Sequence, residues 1–338
     1  MSGTSVVLYF QLQEIALPVP PEHLQLLESR FPTVVFRAVD ERAELPAALT
    51  DAEVFYGWHL PADAFAAAQR LRWVHMAAAG VEANLFPALV QSPIVVTNSS
   101  GLHAAAMGEH VIGMMIALAR NLATAMRLQQ SRTWDRGNII TDGIGIRELH
   151  GANLLVIGLG PVGAAVARYA HALGMVVKAI RRNPTLAAPP GVEEVCGREN
   201  LAQLLGWADF VVLALPSTTE TARLLDRDLL AAMRPTTFLV NVARGTVVDE
   251  PALVDALAAG RLAGAALDVF DAEPLSSSHR LWTLPNVIVT PHVSGYTPGY
   301  LDKALALFMD NLERHVRGTP LRNVVDKAAG YCRTRNPD

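Results

Sequence analysis

The stretch Asn153-Leu-Leu-Val-Ile157, followed at once by Gly158-Leu-Gly160-Pro-Val-Gly163 and then Ala-Ala-Val-Ala-Arg-Tyr169, decides how the chain is read. The apolar run has the length and composition of a strand covered on both faces, and the alanine-rich residues after Gly163 favour a helix. Gly158 permits a tight turn, Gly160 lets backbone approach a pyrophosphate, and Gly163 lets the helix pack on the strand. Leu159, Pro161 and Val162 complete a motif whose free N–H groups at the helix start meet phosphate charge. This predicts a dinucleotide site. A plain turn, or another nucleotide-like ligand such as an S-adenosyl donor, are the other readings that the motif allows.

The second strand, Met175–Ile180, should end where an acidic side chain normally holds the adenosine ribose hydroxyls. Arg181-Arg182 stands there instead. Two guanidinium groups can pair with a 2′-phosphate, which favours NADP(H) and leaves NAD(H) possible. The alternative is that both arginines are simply solvated.

Outward from this point the same alternation recurs. Downstream strands are expected at Phe210–Leu215, Phe238–Ala243, Ala265–Val269 and Val287–Thr290, with a helix near Pro298–Val316. Upstream they are expected at Val6–Phe10, Val34–Val39, Val54–Trp58, Trp73–Ala79 and Ile94–Thr97, with helices at Glu22–Arg30 and Ala62–Arg70. Strands alternating with helices imply parallel sheets. From Gly101 to Arg132 one long helix is expected, capped by Asn98, Ser99 or Ser100. The boundaries expected are 1–101 with 295–338 for one domain and 102–294 for a dinucleotide-binding domain.

Composition excludes several classes. Of 338 residues 51% are hydrophobic and 18% charged, with a net charge of −4, so no field gathers nucleic acid or anionic lipid. The N-terminus passes into Ser5-Val-Val-Leu-Tyr-Phe10 without the pattern of a signal peptide, and no apolar window reaches a membrane span. A cytoplasmic protein is expected. Cys196 and Cys332 make no zinc-ligand pattern, so no metal is expected.

Polar residues stand at three further strand ends: Asn241-Val-Ala-Arg-Gly245, Leu267-Asp-Val-Phe-Asp-Ala-Glu-Pro274 and Leu284-Pro-Asn-Val-Ile-Val-Thr-Pro-His-Val-Ser-Gly295. Ligands of a doubly wound sheet bind outside the carboxyl ends of its strands, so Arg244, Glu273 and His292 could converge on one crevice. Reducing a 2-oxo acid needs a cation for the carboxylate and the carbonyl, which Arg244 supplies. It also needs a proton for the developing alkoxide, which a histidine can give near neutral pH, and Glu273 would favour and orient the imidazolium. Singly, each residue is as well read as structural or solvated.

Together with Trp73-Val-His-Met-Ala-Ala-Ala-Gly-Val81 and Val96-Thr-Asn-Ser-Ser-Gly101, these segments and their order resemble the D-isomer-specific 2-hydroxyacid dehydrogenase family over nearly the full chain. The resemblance implies two doubly wound parallel-sheet domains, a Rossmann dinucleotide-binding domain inserted into a smaller flavodoxin-like substrate domain. It implies His292 as acid/base, Glu273 as its carboxylate partner and Arg244 as the substrate arginine. Backbone N–H groups at Ala79-Gly80 would meet the substrate carboxylate. Asp268 would face the nicotinamide carboxamide, with Leu215-Pro216-Ser217, Thr221, Val242-Ala243 and Gly295 along the cofactor. Met107 falls where a threonine is frequent beside the nicotinamide, and Arg181 resembles the NADP-using members. The activity implied is reduction of a small 2-oxo acid to a D-2-hydroxy acid, with glyoxylate or hydroxypyruvate as first guesses, by a homodimer with an apolar helix at Val111–Ala119 and an arm at Trp134–Leu149. Trp58, His59, Met76 and Trp134 either line the substrate's mouth or belong to core and interface. A dinucleotide-sensing corepressor is the alternative function.

Overall fold

The structure, a computed structural model, describes residues 4–10, 18–141 and 145–332, and the chain divides into two units. One contains the residues up to Leu102 and from Thr297 onward, and the other runs from His103 to Tyr296.

The first unit is built on strands β1 (Ser5–Tyr9), β2 (Val35–Ala38), β3 (Val54–Gly57), β4 (Trp73–Met76) and β5 (Val95–Asn98), all parallel, in the order β2-β1-β3-β4-β5. Helices α1 (Pro21–Arg30), α2 (Leu45–Leu49), α3 (Ala62–Phe65) and α4 (Pro87–Gln91) connect them. β3 and β4 are buried at every position, because alternate residues feed cores on opposite faces. Val7, Phe55 and Val74 meet Leu45, Leu49 and Leu89, while Leu8, Tyr56 and Trp73 meet Phe308 and Leu312. The strand order reverses between β1 and β3, which puts the crevice for a ligand at their carboxyl ends.

The second unit opens with α5 (Ala104–Ala119), α6 (Leu122–Gln130) and α7 (Arg136–Thr141). Strands β6 (Asn153–Ile157), β7 (Val176–Ile180), β8 (Glu194–Cys196), β9 (Phe210–Leu213), β10 (Phe238–Asn241), β11 (Gly264–Leu267) and β12 (Val287–Val289) then form a parallel sheet in the order β12-β11-β10-β9-β6-β7-β8. Helices α8 (Pro161–Ala172), α9 (Leu201–Trp207), α10 (Arg227–Ala232) and α11 (Glu250–Ala258) complete it. Leu155, Val211 and Leu239 pack with α9 to α11 on one face. Leu154, Val212 and Val240 pack with α5 and α8 on the other.

The chain returns to the first unit as α12 (Tyr300–Arg317), whose Leu305, Phe308 and Leu312 bury against the five-stranded sheet. Beyond it β13 (Val325–Asp326) and β14 (Tyr331–Cys332) form a small antiparallel ribbon. Lys327 Nζ donates to the carbonyls of Leu89, Ser92 and Ile94 at 3.0, 2.5 and 3.0 Å.

Some expectations are corrected. The long helix over Gly101–Arg132 is two helices bent by 70°, broken where Asn121 takes a left-handed φ of 53°. It starts at Ala104 without a side-chain cap, because Asn98 is the last residue of β5 and Asn98 and Ser99 bond elsewhere. The helix expected over Ala62–Arg70 is the single turn α3. In the expected arm 134–149, residues 142–144 lie outside the described residues. Among the described residues no single helix is long and apolar enough to cross a membrane.

Candidate active site

The glycine turn follows β6. Gly158 has a φ of 97°, and a side chain there would collide with the Ala214 carbonyl. A Cβ at Gly163 would strike the Gly158 carbonyl, so this glycine sets how closely α8 approaches the strand. At Gly160 a Cβ would meet nothing within 4 Å, leaving open space in front of the first turn of α8. That helix begins with Pro161 and has no side-chain cap, so its leading N–H groups suit an anion. Leu159 is buried beneath the turn, and Val162 packs against the core.

At the end of β7, Arg181 Nη2 donates to the carbonyls of Leu186 and Ala187, and Arg182 Nη2 pairs with Glu220 at 2.6 Å. Arg198, after β8, donates to the Glu220 carbonyl at 3.1 Å and adds a third guanidinium that the sequence reading missed. Next to Glu220, Thr221 Oγ1 donates to the Pro216 carbonyl at 2.7 Å. Ser217 Oγ and Thr246 Oγ1 hydrogen-bond at 2.9 Å, and Leu215 packs on the core.

Beyond β10, Asn241 shapes the turn that carries Arg244. Its Oδ1 accepts from Ala243 N at 3.0 Å and its Nδ2 donates to the Arg244 carbonyl at 3.1 Å. Val242 and Ala243 are buried, and Arg244 Nη1 donates to the Ala243 carbonyl at 2.7 Å. Gly245 lies so close to the Phe270–Asp271 peptide that any side chain would clash, which brings the Arg244 turn against the Glu273 loop.

His292 Nδ1 donates to Glu273 Oε2 at 2.7 Å, and Glu273 Oε1 accepts from Phe270 N at 3.0 Å. Partial burial works against the Glu273 charge. The hydrogen bonds from His292 and Phe270, and the nearby charges of His292 and Arg244, outweigh it and hold this carboxyl below its usual range. The imidazole is half-exposed on a residue with φ of 52°, a left-handed conformation uncommon outside glycine.

Asp268 explains how that conformation is held. It is 1% exposed, and its carboxylate accepts from Thr290 Oγ1 at 2.5 Å, Val293 N at 2.9 Å and Ser294 N at 2.9 Å, while its carbonyl accepts from His292 N at 2.9 Å. Its carboxylate is thus occupied by the His292 loop. His110 Nε2 lies 3.3 Å from Thr290 Oγ1 on the same loop. His103 Nδ1 donates to the Gly295 carbonyl at 2.8 Å. Burial holds the His103 pKa below its ordinary value, helped by the Arg244 charge and opposed by the Gly295 bond. His103, just before α5, and His110, within it, were not foreseen, since a histidine in or beside an apolar helix carries no local signal of what faces it. Met107, between them, is packed against the helix-covered core.

In the first unit the loop after β4 carries Ala79 and Gly80. The Ala77 carbonyl accepts from Tyr300 Oη, the Ala78 carbonyl from Ser99 N at 3.1 Å and the Ala79 carbonyl from Asn98 Nδ2 at 2.6 Å. With the carbonyls taken, the N–H groups of Ala78, Ala79, Gly80 and Val81 have no acceptor among the described residues. Such a row of unspent amides suits an anion. Trp58 stacks on Tyr300 at 5.6 Å between ring centres, and Met76 is fully buried in β4.

Comparison with known proteins gives the same family from three directions. Residues 112–294 match the model for the "D-isomer specific 2-hydroxyacid dehydrogenase, NAD binding domain". The D-3-phosphoglycerate dehydrogenase of Synechocystis is 35% identical over 260 residues, covering 77% of this chain and 46% of that one. The glyoxylate reductase of Pyrococcus furiosus is 31% identical over 323 residues, 93% of this chain and 94% of that one. Among solved structures, the D-isomer specific 2-hydroxyacid dehydrogenase of Xanthobacter autotrophicus Py2, in complex with NADPH and MES, superposes with a TM-score of 0.80 at 30% identity, over 98% of this chain and 100% of that one. The chain spans about half the length of the phosphoglycerate dehydrogenases it matches. Strand order, glycine turn and these likenesses together mean that the chain belongs to the D-isomer-specific 2-hydroxyacid dehydrogenase family.

Proposed function

We propose that this protein reduces a small, unphosphorylated 2-oxo acid to the D-2-hydroxy acid with a nicotinamide dinucleotide, NADP(H) favoured over NAD(H). The observation that carries this reading is the His292–Glu273 pair at 2.7 Å, held on a loop fixed by Asp268 and beside the Arg244 turn. When bound, the nicotinamide supplies the hydride that adds to the carbonyl carbon. His292 gives the proton from Nε2 to the carbonyl oxygen, while Glu273 keeps Nδ1–H engaged and stabilises the imidazolium. Arg244 binds the carboxylate and meets the oxygen charge as it develops. The unspent amides at Ala79 and Gly80 suit a carboxylate.

The cofactor fits the open space at Gly160, the uncapped start of α8 and the arginines at the end of β7. Arg181 and Arg182 already bond to backbone and to Glu220, so a 2′-phosphate would have to replace those partners. NADP preference therefore rests on charge. Glyoxylate and hydroxypyruvate, both in the reductase direction, are the first substrates to assay. The glyoxylate reductase likeness spans nearly the whole of both chains, and this favours them.

A homodimer is also part of this reading. Exposed Leu122, Met126, Trp134 and Ile140 lie on α6, on α7 and in the segment joining them, and apolar surface of this kind suits a second copy.

The experiment is a panel of 2-oxo acids assayed with NADPH and NADH, for the wild type and Arg181→Asp, with sedimentation of the protein alongside. Expected are turnover of glyoxylate or hydroxypyruvate, an NADPH preference of about ten- to a hundredfold that Arg181→Asp reverses, and a dimer. No turnover of any 2-oxo acid would overturn the reading.

A further inference from the structure

We infer that His59, fixed in one tautomer by Asn84, selects substrates bearing a hydroxyl at C3. This rests on the function proposed above. Asn84 is 4% exposed and closes the short turn Glu82–Asn84 that follows the unspent amides of residues 78–81. Its Oδ1 lies 2.9 Å from both Leu60 N and His59 Nδ1, and its Nδ2 donates to the Trp58 carbonyl at 3.3 Å.

The Leu60 amide can only donate, so the atom facing it must be the oxygen, and the same oxygen faces His59. His59 must then donate from Nδ1. A neutral imidazole with its proton on Nδ1 has a lone pair at Nε2, and Nε2 has no partner among the described residues. Asn84 thus does two things: it ties Trp58 to Leu60 in place at the carboxyl end of β3, and it turns His59 into an acceptor at Nε2.

The position is a ligand position. In the order β2-β1-β3-β4-β5 the reversal falls between β1 and β3, so the residues after β3 flank that crevice and the loop after β4 is their neighbour on the next strand. The group chemistry narrows the ligand. Trp58-His-Leu-Pro61 and Ala77-Ala-Ala-Gly-Val81 contain no lysine or arginine, so these loops offer a phosphate or second carboxylate no fixed cation. What they offer beyond the amides is one acceptor nitrogen, whose complement is a neutral O–H. A 2-oxo acid with a free C3 hydroxyl supplies it; its methyl analogue and its phosphate ester do not. Asn84 is a positioning residue in this scheme, and His59 determines specificity.

The test uses the full-length protein with hydroxypyruvate, pyruvate and phosphohydroxypyruvate, with kcat/KM measured for wild type, His59→Phe, His59→Gln and Asn84→Ala, and 15N NMR of the histidine rings. The wild type should prefer hydroxypyruvate over both other acids, and the NMR should give His59 as the Nδ1–H tautomer. In His59→Phe the hydroxypyruvate-to-pyruvate ratio should fall about tenfold, carried by KM, as for one lost hydrogen bond, and His59→Gln should recover part of it. In Asn84→Ala the ratio should fall and the His59 ring should become a mixture of tautomers. An unchanged ratio in His59→Phe, a wild type that prefers phosphohydroxypyruvate, or an Nε2–H tautomer in the wild type would overturn this inference while leaving the dehydrogenase reading intact. A wild type that reduces none of these acids would overturn both.

Discussion

Two loops, each at the carboxyl end of a strand, are held by opposite means. After β12, the buried Asp268 carboxylate takes the N–H groups of Val293 and Ser294, and the loop displays a side chain, His292. After β4, Asn98, Ser99 and Tyr300 take the carbonyls of residues 77–79, and the loop displays its amides. An acceptor anchor withdraws N–H groups, whereas donor anchors withdraw carbonyls and leave N–H groups to the ligand. The polarity of the buried anchor therefore decides whether a loop can do proton chemistry or hold an anion.

Removing what the first loop displays should have the largest effect. His292→Gln should keep NADPH binding, measured by fluorescence titration, and lose turnover by about two or more orders of magnitude. Near-normal turnover would remove the proton from His292. The anchor itself comes next. Asp268→Asn sets an amide N–H against backbone donors, so it should cost about 2 kcal/mol in denaturant unfolding and about tenfold in kcat/KM. Stability unchanged in that variant would mean that Asp268 does not hold the loop. In the other loop, Asn98→Ala frees the Ala79 carbonyl. The KM for the 2-oxo acid should rise severalfold to tenfold with kcat less affected, and a purely kcat effect would break the contrast drawn here.

The smallest test concerns one histidine. His75 is buried in β4 behind this second loop, and burial pushes its pKa down to about 3. Trp73 Nε1 donates to Thr97 Oγ1 at 2.8 Å, Thr97 Oγ1 and His75 Nδ1 hydrogen-bond at 2.6 Å, and His75 Nε2 has no hydrogen-bond partner among the described residues. A folded pKa below the unfolded value of about 6.5 means that the unfolded chain binds the extra proton. Stability then falls with pH from about 6.5 towards 3, by about 1.4 kcal/mol per unit for one proton. Hydrogen exchange of the β3–β5 amides at stepped pH should follow that slope in the wild type and flatten in His75→Met. Equal slopes would assign the acid sensitivity elsewhere.

Much of this was legible in the chain. Strands buried on both faces read as unbroken apolar runs, and the glycine turn announces itself because Gly158 and Gly163 answer steric demands of a strand–turn–helix while Gly160 leaves the space in front of the helix open. Arg244, Glu273 and His292 were singled out because their segments have recognisable wording, and the structure joins two of them, Glu273 and His292, by a hydrogen bond. The anchors were not. Nothing local distinguishes Asn98 or Asn84 from capping or turn residues, because their partners come from other strands' loops. The three-residue edge strand β8 was missed for want of length and apolar pattern. The break at Asn121 was missed because apolar residues continue across it, and a single left-handed residue leaves the composition unchanged. Arg198 reaches Glu220 from a separate segment, so no spacing could have paired them.

The return of α12 to the first sheet sets an order of events during synthesis. β6 to β12 leave the ribosome consecutively, and the helices that cover them leave with or before them, so that unit can close as it emerges. The five strands made first must wait: Tyr56 and Trp73 have no cover until Phe308 and Leu312 appear, and the carbonyls after α4 have no cation until Lys327 does. Of the two units, the one whose strands come first along this chain is therefore the second to be sealed, and one apolar face of its sheet stays open while the other unit is made.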